Sequence, residues 1–87
     1  MDILLDVVSV KVYPGYRLRL EFENGERRFF DMSPFIDKKP FNRLKVLGVF
    51  NCAHVDYGTV VWPGNIDISP ETLYDNSVPL DEPAQAT

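Results

Sequence analysis

With 87 residues, 45% of them hydrophobic and 13% aromatic, the chain is sized for a single modest core, and a charged fraction of 25% places it with ordinary globular domains rather than disordered segments. A net charge of −4 and a pI near 4.7 exclude the basic footprint that phosphate-backbone contacts need, so no direct nucleic-acid binding is expected. One cysteine, Cys52, excludes an internal disulfide. No basic n-region opens the chain and no apolar run approaches the roughly 18 residues of a membrane span, so the expectation is a reduced, soluble, cytoplasmic protein.

The charge is unevenly placed. All nine basic residues lie between Lys11 and Lys45, and seven acids stand in the first 45 residues; from Val46 onward six acids stand without a lysine or arginine. Arg17, Arg19, Arg27 and Arg28 read as the solvated face of a sheet, balanced by Glu21, Glu23 and Glu26.

In chain order, the first half reads as a three-stranded antiparallel meander. Val8, Val10 and Val12 alternate with Ser9 and Lys11, and Leu18, Leu20 and Phe22 alternate with Arg17, Arg19 and Glu21, giving each strand one apolar and one polar face. Pro14-Gly15 joins the first two strands and Asn24-Gly25 the second and third. A two-residue turn at Asn24-Gly25 would set Leu20 opposite Phe29, whereas a three-residue loop with a glycine bulge sets Leu18 opposite Phe30. The second register is preferred because it puts Phe30 and Met32 together on the core face.

Asp31-Met32-Ser33-Pro34 ends the third strand, and Asp37-Lys38-Lys39-Pro40 is a charged loop. Phe41, Leu44 and Leu47, three residues apart, mark a short helix-like face that Gly48 closes. Residues 50–56 are then expected as a fourth strand, with Asp56-Tyr57-Gly58 turning into a fifth, Thr59–Trp62. Val60, Val61 and Trp62 suit a pleated surface, and Pro63 ends the ladder. Gly64 and Asn65 tolerate positive φ and so read as a turn. Ile66 and Ile68 flank Asp67 in a short extended segment, after which Ser69 as N-cap and Pro70 at the first helical position predict a helix over Pro70–Asp75. Glu71 favours the positive end of that helix. The expected architecture is therefore α+β, a meander plus a second hairpin with short helical segments packed on the sheet. It forms one domain over 1–75, with 76–87 as a flexible tail that has little to bury.

Few residues carry recognisable chemistry. Cys52, His54 and Asp56 would share one face of the expected fourth strand, but a structural zinc site wants more thiolate or imidazole than this chain holds. As a nucleophile, base and orienting acid the same three would stand roughly 6 to 7 Å apart along the strand, beyond hydrogen-bond reach. Asp67 with Glu71 is accounted for by capping and helix-dipole roles. No phosphate loop or nucleophile elbow is present, so no catalytic residue, metal or cofactor is assigned.

Trp62 supports two readings. It is either a core ring packed on Leu73 and Tyr74, with its N–H on a nearby carbonyl, or part of an exposed aromatic patch with Tyr57, Asn65 and Tyr74 of the kind enriched at protein interfaces.

Three features in order, Phe22-Glu23-Asn24-Gly25-Glu26 leading to Asp31-Met32-Ser33-Pro34, the segment 44–50, and Trp62-Pro63-Gly64-Asn65-Ile66-Asp67-Ile68-Ser69-Pro70 running to Leu73-Tyr74, resemble the bacterial domain of unknown function 2442 family. The resemblance covers nearly all of 7–74. Family members usually show asparagine then glycine after the proline, whereas this chain has Gly64-Asn65. The resemblance implies an α+β fold on an antiparallel sheet. It also implies an association with regulation, since some members join a helix-turn-helix domain and others stand beside a gene for a second small protein, similar to a toxin and antitoxin pair.

The leading expectation is a non-enzymatic protein-interaction module with an unidentified protein partner, attractive to a basic one through its acidic second half. The alternative is a ligand-sensing domain acting through a DNA-binding partner, which needs a pocket near Asp31, Trp62 and Asp67. The candidate binding residues are thus Asp31, Tyr57, Trp62, Asn65, Asp67 and Tyr74. An edge strand at Val7–Tyr13 offers a route to a homodimer.

Overall fold

In the computed structural model, residues 5–46 and 48–80 are described. Strands β1 (Val7–Tyr13), β2 (Arg17–Phe22) and β3 (Arg27–Asp31) form the meander, and β4 (His54–Asp56), β5 (Thr59–Trp62) and β6 (Ile66–Ile68) form a second antiparallel sheet. Helix α1 (Pro70–Asp75) follows. Strand β7 (Ser77–Pro79) then returns to pair with β3, so the first sheet has the order β1-β2-β3-β7.

The register is the one the glycine bulge demands, with Leu18 opposite Phe30 and Glu21 opposite Arg27. The Gly25 amide donates to the Phe22 carbonyl and the Phe22 amide to the Glu26 carbonyl, closing a three-residue loop in which Gly25 has a φ of 89°. Leu18, Leu20, Phe22, Phe30 and Met32 are consequently all fully buried. They share one core with Val60, Trp62, Ile66 and Ile68 from the second sheet, Leu73 from α1, and Leu44 and Phe50 from the intervening segment.

That segment departs from expectation. Residues 50–52 are a 3-10 turn rather than the start of a strand, and β4 is only three residues long. An extended 50–52 would send Phe50 and Cys52 to the same face; the turn instead buries Phe50 and leaves Cys52 exposed, its Sγ donating to the Gly48 carbonyl. The Phe41 and Leu44 spacing of three is that of a 3-10 helix, found over Phe41–Lys45; Leu47, the third member, lies outside the described residues.

The second departure is the strand β7, at the start of what the sequence assigns to a flexible tail. Polar anchoring holds it: the Arg28 guanidinium donates to Ser77 Oγ at 2.7 Å and to the Ser77 carbonyl at 3.0 Å, Ser77 Oγ donates to the Tyr74 carbonyl, and the Leu80 amide donates to the Arg27 carbonyl. Apolar burial contributes little there, because Val78 is exposed. The remainder of that tail, 81–87, and residues 1–4 at the start of the domain lie outside the described residues.

Helix α1 is built as its capping residues dictate. Ser69 has extended backbone, its Oγ accepts from the Thr72 amide at 3.1 Å, Pro70 opens the helix, and Leu73 is driven into the core. The two sheets meet where the Val7 amide donates to the Gly58 carbonyl, so β1 borders the β4–β5 hairpin at its first residue and is not a bare edge along its whole length. Among the described residues no helix is long and apolar enough to cross a membrane.

Candidate functional site

The six residues singled out from sequence do not converge. Trp62 is 1% exposed; its Nε1 donates to the Phe50 carbonyl at 3.1 Å and its ring stacks on Phe50 with centroids 5.9 Å apart. The core reading of Trp62 holds, with Phe50 as its stacking partner, and the exposed patch built on it does not form. Tyr57 and Asn65 lie at opposite ends of β5, separated by a four-residue strand, about 13 Å of extended chain. Asp67 is exposed in the middle of β6, opposite Val61, which in turn is opposite His54.

Asp31 ends β3 across from Arg17. Hydrogen bonds from Ser33, the hydroxyl before the amide, hold its carboxyl below the usual aspartate range, and the Arg17 charge acts in the same direction. This is a turn-closing role. His54 and Asp56 share a face of β4, but Cys52 lies in the preceding 3-10 turn and off that strand, and among the described residues no three His, Cys, Asp or Glu side chains are grouped to hold a metal.

Tyr74 belongs to a network with Phe22, Glu26 and Arg28. Its ring stands edge-on to Phe22, the Arg28 guanidinium lies 4.1 Å from its centroid, and its hydroxyl donates to Glu26 at 2.8 and 3.0 Å. The hydrogen bond from Tyr74 is the main reason the Glu26 carboxyl sits below the ordinary glutamate range, with Asn24 and Arg28 assisting, and the same bond holds the Tyr74 phenol above its ordinary value. Arg28 is therefore not part of the solvated arginine face. It lies opposite Leu20 on the inner side, with only 12% of its side chain exposed.

Two concave surfaces among the described residues lie away from the expected place. A cleft of about 170 Å³ opens between the β1–β2 loop and 44–51, lined by Tyr13, Pro14, Tyr16, Leu44 and Phe50 among others. A shallower groove of about 590 Å³ runs beside Glu21, Glu26, Arg27, Arg28, Pro79 and Leu80. Neither is lined by Asp31, Trp62 or Asp67.

What remains of the sequence-based site is Tyr57, and its geometry is unusual. It is 94% exposed at the tip of the β4–β5 hairpin. Asp56 pairs with Thr59, so the loop has two residues, Tyr57 at φ 53° and Gly58 at φ 73°, the double positive φ of a type I′ turn. Asparagine is the residue that best fits the first of these positions; a bulky side chain there is strained. Tyr57 accepts that conformation while its ring touches solvent.

Its surroundings are acidic and apolar. Asp56 precedes it, and the Asp6 carboxylate lies so close to Gly58 that a Cβ added there would meet it at 2.6 Å. Glu23 is tied to Asp6 by two hydrogen bonds, and Val8, just past the residue that donates to Gly58, is 53% exposed. The role of Asp6 was not legible in sequence, because 50 residues separate it from the hairpin it adjoins.

The fold is that of a small α+β domain of two antiparallel sheets with one short helix and 3-10 turns. The chain belongs to the DUF2442 family, described as a protein of unknown function, whose model matches residues 7–79. That match includes β7. No curated protein and no solved structure matches the chain.

Proposed function

We propose that this domain is a non-enzymatic protein-interaction module of the bacterial cytoplasm, the regulatory or neutralising member of a small pair similar to a toxin and antitoxin, and that Tyr57 anchors its partner. The observation that carries this reading is a tyrosine 94% exposed in a left-handed backbone conformation, where folding alone favours asparagine. Strain retained at an exposed position points to a use outside the fold. Tyrosine is a typical interface anchor, because it brings a large ring with few rotatable bonds. Asp6, Glu23 and Asp56 around it favour a basic partner, and exposed Val8 extends the apolar contact.

The competing reading, a ligand-sensing domain acting through a DNA-binding partner, rests on the cleft beside Tyr13, Tyr16 and Phe50. At about 170 Å³ this cleft is smaller than the roughly 300 to 1,000 Å³ usual for small-molecule sites; the groove beside Glu26, Arg28 and Leu80, about 590 Å³, falls within that range but is shallow and lies away from Asp31, Trp62 and Asp67.

The deciding experiment is capture from a lysate of the source organism with the tagged chain and with Tyr57→Asn, a substitution that suits the turn. A stoichiometric protein held by the parent and lost by the variant supports the anchor role. Equal capture by both, or no partner at all, sinks it, and a thermal shift with a small molecule would then favour the sensing domain.

A further inference from the structure

The loop between β2 and β3 sets a carboxamide beside an unshielded backbone nitrogen. Gly25, which follows Asn24, has no side chain, and nothing lies within 4 Å of where its Cβ would be. Both residues are exposed. Three hydrogen bonds hold the pair: the Gly25 amide donates to the Phe22 carbonyl at 2.9 Å, the Glu26 amide to Asn24 Oδ1 at 3.0 Å, and Asn24 Nδ2 to Glu26 Oε2 at 3.0 Å. Nitrogen and carboxamide are each tied down.

The turn itself does not call for asparagine at this position. Asn24 is not among the residues with positive φ, and an aspartate would accept from the Glu26 amide equally well. What only the carboxamide supplies is the N–H donated to the Glu26 carboxylate. That carboxylate also accepts from the Tyr74 hydroxyl, at 2.8 and 3.0 Å, and from Arg28 at 3.0 Å. With a second carboxylate in place of the carboxamide, two anions would face each other across the former hydrogen bond.

We propose that Asn24 is a modification site, deamidated through a cyclic imide when its loop opens, and that the product releases α1 from the meander. The inference does not rest on the Tyr57 hairpin. The Gly25 nitrogen bonds to Asn24 Cγ, the carboxamide C–N bond breaks, and ammonia leaves carrying the proton of the Gly25 amide. Water then opens the imide at one of its two carbonyls, leaving aspartate or isoaspartate at position 24. Water is the only co-reactant, and nothing is oxidised or reduced. While the loop is closed the reaction waits, because the Gly25 nitrogen must first leave the Phe22 carbonyl. Aspartate sets a negative charge against Glu26, and isoaspartate also lengthens the backbone of a loop that fixes the register of β2 on β3. Either product weakens the hold of Glu26 on Tyr74, and with it that of the meander on α1.

The test incubates the full chain in mildly alkaline buffer, folded or in urea, and follows each asparagine by peptide mass spectrometry with an enzymatic assay for isoaspartate. Expected is conversion at Asn24 ahead of Asn42, Asn51, Asn65 and Asn76, about tenfold or more slower in the folded chain than in urea. Tyr74→Phe removes two of the bonds that hold the Glu26 carboxylate, so it should convert faster than the parent when folded and at the parent's rate in urea. Asn24→Asp, the product made directly, should keep the parent's near-ultraviolet circular dichroism yet exchange the amides of α1 faster, with those of β1 unchanged. Equal conversion folded and in urea, or parent-like exchange in Asn24→Asp, overturns the proposal. Should Asn24→Asp lose that spectrum, Asn24→Ala, which removes the donor without adding a charge, takes its place and the same exchange comparison decides.

Discussion

At the scale of single residues, the hairpin tip pairs two backbone demands that the sequence meets unequally. Gly58 meets its demand fully, with φ 73° and the Asp6 carboxylate filling the space a Cβ would take. Gly58→Ala should therefore destabilise the fold by about 1 to 3 kcal/mol, combining left-handed strain with displacement of Asp6. Adding Asp6→Ala in that background should restore the part due to crowding, which urea unfolding of the double variant would read. Tyr57 meets its demand poorly. Tyr57→Asn should raise stability by about 0.5 to 1 kcal/mol while abolishing partner capture, a trade of binding against folding that a purely structural residue would not show. Trp62 behaves in the opposite way. Trp62→Phe removes one of the two donors to the Phe50 carbonyl, the Ala53 amide remaining at 3.2 Å, and leaves part of the indole volume unfilled; a loss of about 1 to 3 kcal/mol, most of it from the lost packing, is expected in thermal unfolding.

At the scale of elements, what was legible in the sequence was whatever rests on local pattern. Period-two alternation gave β1 and β2, Asn24-Gly25 gave the bulged register, and Ser69-Pro70 gave α1, because in each the decisive contacts lie within a few residues. Pro14-Gly15-Tyr16 and Pro63-Gly64-Asn65 also prove to be the same device. Each is a proline, a glycine at φ 83° or 91°, and a residue at φ 61° or 62°, so two successive residues in the left-handed region reverse the chain at both places. Strand β7 was illegible because its partners are remote and polar, with 49 residues between Arg28 and Ser77. The placement of Tyr74 against Phe22 and the convergence of Asp6 on Gly58 were hidden for the same reason. Of the candidate residues, the exposure of Tyr57 is legible because it follows from a local turn, while how the other five are placed depends on tertiary contacts. If Ser77 anchors β7 as described, Ser77→Ala should leave the mostly buried Arg28 guanidinium short of an acceptor, cost about 1 to 3 kcal/mol, and speed amide exchange in β7 more than in β1.

At the scale of the whole molecule, the Glu26, Tyr74 and Arg28 network ties the β2–β3 loop, α1 and β3 together, and its protonation should set part of the pH range over which the fold is stable. The Glu26 carboxyl titrates below its ordinary value of 4.5 when folded, so its contribution is complete above that value and is lost as pH falls through the lower folded value. Asp31, held below its ordinary 3.8 by Ser33 and Arg17, adds a second loss in the same direction. Tyr74 titrates above its ordinary 10.0 when folded, so its contribution is complete below 10.0 and is lost as pH rises through the higher folded value. One hydrogen bond thus limits stability at both extremes. In Tyr74→Phe the alkaline loss from this group should vanish, and the acid loss should shrink because Glu26 returns toward its ordinary value. Glu26→Gln should remove the Glu26 contribution at the acid end and bring the Tyr74 phenol back toward 10.0. Urea unfolding of the three proteins across the pH range measures both arms. Equal pH profiles for parent and Tyr74→Phe would mean that the network orders the surface without contributing to the stability of the domain.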